Sequence, residues 1–187
     1  MNRIVIFGLG LKGIGRVCVL LFYLFALLPL VEAQTVTKVS HSKAVKTDVV
    51  TTGEMTIRKP DYICISTDGG KDQLIMDGTK FTMTTKGKKH VTDSKTNALF
   101  ATFQKVLHAV ISDQPIPTGD DLTLQKSDGI LTITITPSAQ KRQMFTSFVL
   151  IVDSRSATGR LQGKKSSAMK RLRMNGRNES YTEYTFK

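Results

Sequence analysis

From Thr52 to Thr84 the chain reads TGEMTIRKPDYICISTDGGKDQLIMDGTKFTMT, and its apolar residues fall at alternate positions. Met55 and Ile57 form one such pair, Ile63 and Ile65 a second, Phe81 and Met83 a third. Successive side chains of a strand point to opposite faces, so this alternation predicts strands with one buried face. Pro60 has no N–H to give a ladder and marks a break between two extended pieces. Asp77-Gly78 lies between two of the apolar runs, where Gly supplies the positive φ of a tight hairpin turn. The segment predicts a curved antiparallel sheet that offers one apolar face.

The flanking sequence extends the pattern and once interrupts it. Residues Val36 to Thr52 are polar and β-branched, which predicts an edge strand or strap leading into a stronger strand over Val49 to Arg58. The period changes at Asp93 to Ser112, where Leu99, Phe103, Val106 and Val110 share one face with Phe100 and Leu107 beside it. That spacing predicts an amphipathic helix, started by Asp93 or Ser94 and ended before Pro115 and Pro117. Strands resume at Leu122 to Gln125 and at Leu131, Ile133 and Ile135. Met144 to Val152 is almost wholly apolar and predicts a strand covered on both faces. Leu172 with Met174, an Asn175-Gly176 turn, and Tyr181 to Phe186 make a last hairpin. One clear helix among about nine to eleven strands predicts an α+β fold, a strongly curved and incompletely closed antiparallel barrel. A twisted sheet of that size curls, and a curled sheet has a hollow.

The start of the chain changes the compartment. Arg3, Lys12 and Arg16 precede an uncharged stretch from Val17 to Val31, which Glu32 and Ala33 close. The stretch falls short of the roughly 20 residues of a bilayer span. Residues 1–33 are therefore expected to be an export signal cleaved near Ala33, with 34–187 a single periplasmic domain. Cys18 would leave with the signal, so Cys64 has no disulfide partner and the fold must rest on its core. Cys64 lies between Ile63 and Ile65 and is expected to be a packed small residue. Cleavage would remove three basic residues and Glu32, taking the net charge from +12 to +10.

The positive charge is concentrated between Arg155 and Arg177, which includes Lys164, Lys165, Lys170, Arg171 and Arg173 and has no acidic residue. Such a run suits an acidic protein or an anionic membrane; export sets nucleic acid aside. A solvated hairpin that maintains solubility is the plain alternative. Catalytic signals are sparse. His41, His90 and His108 lie far apart without metal-ligand spacing, and no nucleophile elbow, phosphate loop or dinucleotide fingerprint is present. Asp68-Gly69-Gly70-Lys71-Asp72 reads as a turn, and Asp120-Asp121 as a solvated strand entry. Neither an enzyme, a metal site nor a cofactor is expected.

TGEMTIRKPDYICI followed by LIMDGTKFTM resembles the LolA-type outer-membrane lipoprotein carriers, in their divergent Bacteroides-like form. The helix, the strand ending at Thr136-Pro137 and the strand ending at Val152-Asp153 keep the order of that family, so the likeness spans Val45 to Phe186. The resemblance implies an unclosed barrel around an apolar cavity, with helix as lid. It implies a periplasmic carrier that holds the acyl chains of lipoproteins, or related lipid, between an inner-membrane donor and an outer-membrane acceptor. On it, Lys59 becomes the lid contact before the proline. Met55, Ile57, Ile63, Ile65, Phe81 and Met83 line the cavity, and Leu99, Phe103, Val106 and Val110 form the lid face. The long N-terminal helix usual in the family is missing, since Gln34 to Lys46 has no helical apolar face. Methionines suit a soft acyl-chain lining, and Met55, Met76, Met83, Met144 and Met174 supply them. The alternative is an interaction module of the same fold, docking an acidic partner or anionic membrane through residues 155–177.

Overall fold

The computed structural model describes residues 32–45, 47–58, 61–112, 114–138, 145–153 and 169–187. The chain divides into Met1–Leu30 and Val31–Lys187, and the described residues all lie in the second unit. Six strands come first: β1 (Glu32–His41), β2 (Asp48–Arg58), β3 (Tyr62–Thr67), β4 (Asp72–Asp77), β5 (Lys80–Thr85) and β6 (Lys88–Asp93). The helix α1 (Ala98–Ile111) follows, and then β7 (Leu122–Ser127), β8 (Ile130–Ile135), β9 (Phe145–Asp153), β10 (Met169–Gly176) and β11 (Tyr181–Phe186). Residues 1–31 of the expected signal segment, Lys59, Met144, Lys164 and Lys165 lie outside the described residues, while Glu32 and Ala33 begin β1.

All eleven strands form one sheet in the order β6-β5-β4-β3-β2-β1-β11-β10-β9-β8-β7, and every pairing is antiparallel. The sheet is not closed: β6 and β7 are its two edges, and α1 is the connection between them. The curl follows from packing. Phe81 on β5 and Phe148 on β9 both meet the ring of Phe103, at 6.0 Å and 4.6 Å between centroids. Six strands separate β5 from β9 in the sheet order, so only a deeply curled sheet brings both onto one side chain.

Alternation sets the inner face. Val36 on β1, Met55 and Ile57 on β2, Ile63 and Ile65 on β3, and Leu74 and Met76 on β4 are buried in a single core. Phe148, Leu150 and Val152 on β9, Leu172 and Met174 on β10, and Tyr184 and Phe186 on β11 continue it around the sheet. Three of the hairpins, β4–β5, β5–β6 and β7–β8, close through two-residue loops. Gly78 (φ 53°) opens the β4–β5 turn, while Lys86-Gly87 and Asp128-Gly129 both adopt positive φ between their strands. Gly53 is required for another reason. A Cβ there would lie 1.9 Å from the Ser66 carbonyl oxygen and 2.7 Å from Thr67 Cα, so β2 and β3 come together here only without a side chain.

Three expectations are corrected. Residues expected as an edge strap instead form the centre of the sheet, since β1 pairs with β2 on one side and β11 on the other. Chain ends at the middle of a sheet are invisible to local pattern, because the β1–β11 pairing joins the first and last strands. The helix begins at Ala98 rather than near Asp93. Asp93 pairs with Lys80 at the end of β6 and its carboxylate accepts from Lys95 N–H, so Asn97 caps instead, accepting from Phe100 N–H. The basic segment is not hairpin throughout: from Met169 it is strand β10, with Met169, Leu172 and Met174 in the core.

Candidate functional site

Of the ten side chains expected at the acyl-chain cavity, eight are buried in the common core: Met55, Ile57, Ile63, Ile65, Phe81, Leu99, Phe103 and Val106. Met83 and Val110 are partly buried against it. The structure thus brings the expected wall and the expected helix face together, with the helix docked into the hollow. Helix α1 presents Leu99, Phe100, Phe103, Val106, Leu107 and Ile111 inward, the 3–4 spacing of one helical stripe. Its Phe100 ring lies 4.5 Å from Phe81, 5.9 Å from Phe148 and 6.4 Å from Phe145. The middle of the helix is also tied by a polar contact, Gln104 Nε2 donating to the Gly78 carbonyl in the β4–β5 turn.

Among the described residues a small cavity lies beside the docked helix. It has a volume of about 60 Å³ between the β5–β6 edge, the helix start and β9, and is lined by Phe81, Met83, His90, Thr92, Leu99, Phe100 and Phe145. That is about the share of two liquid water molecules, well below the several hundred Å³ of a small-molecule pocket. On the outer side of α1 an open groove of about 420 Å³ runs past Asp61, Gln104, Lys105, His108, Ala109, Gln114, Pro115 and Pro117. Its lining surface is mostly apolar, with Asp61, Lys105 and His108 placed along it.

The inner face is not uniformly apolar, and this the sequence pattern did not disclose. Lys38 and Asp72 occupy inward positions of β1 and β4, with side chains 7% and 14% exposed, and form an ion pair. Lys38 stands directly opposite Thr51 on β2 and Tyr184 on β11. Asp72 also accepts from the Lys86 backbone N–H at 3.0 Å. Burial raises the Asp72 carboxyl, but the Lys38 and Lys86 hydrogen bonds and their positive charges outweigh it, holding the group below its ordinary value. Tyr184 moves the opposite way: burial raises its phenol, and the Asp72 charge adds to the rise. Two buried oxygens nearby on β1 and β2, Gln34 Oε1 and Thr51 Oγ1, have no hydrogen-bond partner. Polar residues at alternate β1 positions, Gln34 and Lys38 either side of Val36, were the available signal.

The basic candidates divide. Lys170 is exposed. Arg171 and Arg173 face Glu183 at 3.7 and 3.8 Å, and Arg173 also lies over the Tyr181 ring at 3.7 Å. These two arginines hold β10 to β11 on the outer face rather than standing free. The histidines occupy three different surroundings. His41 Nδ1 lies 2.6 Å from Asp48 Oδ1 and stacks on Tyr181, His90 borders the small cavity, and His108 borders the outer groove. Among the described residues no three acidic, His or Cys side chains are grouped as metal ligands. Among them, too, no helix is long and apolar enough to cross a membrane. Cys64 is half-buried in β3.

An open eleven-stranded antiparallel sheet, wrapped around one helix with an apolar inner face, defines the class of protein. The chain belongs to the family described as predicted periplasmic protein (DUF2092), whose model matches residues 30–135. The solved structures to which it is similar include a LolA superfamily protein from Nitrosomonas europaea, at 9% identity and TM-score 0.34 over 83% of each chain. LprF from Mycobacterium bovis is similar at 9% identity and TM-score 0.35 over 85% of each chain. A DUF1329 family protein from Desulfovibrio piger is similar at 10% identity and TM-score 0.40, over 89% of this chain and 88% of its own. Among curated proteins none matches. The architecture described above rests on the strand order and register of this chain itself.

Proposed function

We propose that this protein is a non-enzymatic periplasmic carrier that holds the acyl chains of lipoproteins, or related lipid, against the inner face of its open sheet. The observation that carries the reading is a largely apolar inner wall, interrupted by the Lys38–Asp72 pair, with the helix α1 docked against it and connecting the two edge strands of the sheet. In the described state that helix occupies the hollow, so cargo enters by exchange: α1 swings outward and the chain takes its place. Six large apolar residues leaving the wall cost about 12 kcal/mol at about 2 kcal/mol each, and burying a chain of about fifteen methylenes returns about 12 kcal/mol. An exchange so nearly balanced is reversible, as a shuttle requires. Removal of residues 1–33, a lid contact by Lys59, and hand-over to membrane donor and acceptor proteins belong to the same proposal. The lining is Met55, Ile57, Ile63, Ile65, Phe81 and Met83, and the exchanged face includes Leu99, Phe103, Val106 and Val110 with Phe100, Leu107 and Ile111 beside them.

A reversible tether tests it. Gln104→Cys and Thr79→Cys, in a Cys64→Ser background, are joined by a disulfide-containing bismaleimide across the contact that Gln104 makes with the neighbouring turn. The untethered protein should bind a fluorescent fatty acid or diacylglyceryl lipopeptide saturably. The tether should block uptake, and reduction should restore it. Saturable binding that survives the tether removes the exchange mechanism, and absence of any lipid binding removes the carrier.

A further inference from the structure

The polar groups on the inner wall form a pattern that neither the strand periodicity nor the packing of the helix requires. Lys38, Thr51 and Tyr184 are neighbours across β1, β2 and β11, and their side chains share the inner face. Lys38 uses its ammonium on Asp72 alone, although it has three N–H donors. Thr51 Oγ1 is buried with no partner, and Gln34 Oε1, at the next inward position but one from Lys38, is buried with none either. Buried polar atoms are nearly always satisfied, so these two unmet oxygens beside an ammonium with spare donors point to a partner that is not part of the chain. Their chemistry is mixed but mainly donating: ammonium N–H, the Thr51 hydroxyl and the Tyr184 phenol, with the Gln34 carbonyl as acceptor.

We infer that Lys38, Tyr184 and Thr51 anchor the ester and amide carbonyls of a neutral acylated headgroup, selecting esterified chains over free fatty acids. The inference rests on the carrier reading and adds the class of cargo to it. The selection comes from Asp72. Paired with it, Lys38 retains donors but presents no net charge, so an uncharged carbonyl is accepted. A free carboxylate would approach a site already holding its own carboxylate, and like charges at short range repel strongly where water is excluded. A chain without carbonyls would leave the donors unmet, the situation in which polar sites reject analogues most sharply.

The experiment compares two synthetic lipopeptides that carry the same paired sixteen-carbon chains. One is joined through esters, the other through ether linkages, and palmitate is the third probe. Each competes with a fluorescent fatty acid for the full-length-processed protein. The ester form should bind about 10-fold or more tightly than the ether form, a preference expected where polar groups would otherwise be left unpaired. Tyr184→Phe should reduce that ratio, and Lys38→Met together with Asp72→Leu should abolish it while ether binding persists. The double change removes both charges at once, so no uncompensated ion is left in the core. Equal binding of ester and ether forms, or a preference for palmitate, overturns the anchor and leaves the carrier intact. Failure to bind any of the three probes removes the carrier reading and the anchor with it.

Discussion

Phe103 of the helix stacks on Phe148 of β9, with 4.6 Å between ring centroids and 23° between ring planes. Both rings are buried, at 1% and 0% exposure. This contact ties the helix to the half of the sheet formed by the C-terminal strands, while Phe81, 6.0 Å from Phe103, ties it to the half formed by the N-terminal strands. Phe148→Ala should lower stability by about 3–5 kcal/mol, the cost of truncating a well-packed core ring. In a double-mutant cycle with Phe103→Ala, the coupling should be about 0.5–1.5 kcal/mol, the usual worth of a packed aromatic pair. Urea unfolding of the four proteins checks both values, and zero coupling would mean the rings pack independently.

Gly53 is a position at which the close approach of β2 and β3 depends on the absence of a side chain. A Cβ would meet backbone atoms of Ser66 and Thr67, which cannot rotate aside as a flexible side chain would. Gly53→Ala should therefore destabilise by about 2–3 kcal/mol, as overpacking does, in spite of the entropy advantage of alanine in the unfolded chain. Gly119 is the control, since nothing lies within 4 Å of its added Cβ. Gly119→Ala should change stability by less than about 0.5 kcal/mol, the range of surface substitutions. Thermal unfolding of the two variants side by side gives the answer.

The inner wall was legible because period two is a direct consequence of strand geometry, and Met55, Ile57, Ile63, Ile65 and Phe81 all obey it. The helix stripe was legible for the same kind of reason, although Val110 falls at its margin and is only partly buried. What sequence did not disclose was relational. The placement of β1 in the centre depends on its pairing with β11, at the other end of the chain. The inward burial of Lys38 depends on Asp72, 34 residues away, and either residue alone reads as solvated surface. Phe100 was placed beside the helix stripe, and only the approach of Phe81, Phe145 and Phe148 shows why it is buried. Arg171 and Arg173 read as free charge until Glu183 is seen opposite them.

The two titrating groups of the inner wall make stability depend on pH at opposite ends of the scale. Asp72 is held below its ordinary value in the fold, so between its folded and unfolded values the unfolded chain binds more protons. Its contribution is present above the unfolded value of about 4 and is lost as pH falls through the folded value. Tyr184 is raised, so its contribution is whole below the unfolded value of about 10 and is lost as pH rises beyond it, when the unfolded chain releases the proton first. Asp72→Asn should flatten the acid limb of a stability-against-pH curve, and Tyr184→Phe the alkaline limb. If each variant leaves the slope of its own limb unchanged, these groups do not control it.

Gln104 offers the mildest way to loosen the helix without opening a hole in the core. Its amide donates to the Gly78 carbonyl in the tight turn between β4 and β5, a half-buried contact between elements that share no strand pairing. Gln104→Ala removes that donor and should cost about 0.5–1.5 kcal/mol, the net worth of a typical hydrogen bond. Weakening the docked state by about 1.4 kcal/mol raises the undocked fraction about tenfold if the undocked helix itself is unaffected. For a carrier that fills by exchange, the rate of fatty-acid uptake should rise by a similar factor, while the aromatic lining that receives the chain stays in place. Stopped-flow fluorescence measures the rate, and equilibrium unfolding measures the loss of stability on the same sample. A variant that is destabilised by the expected amount but takes up lipid no faster would show that helix release does not limit entry.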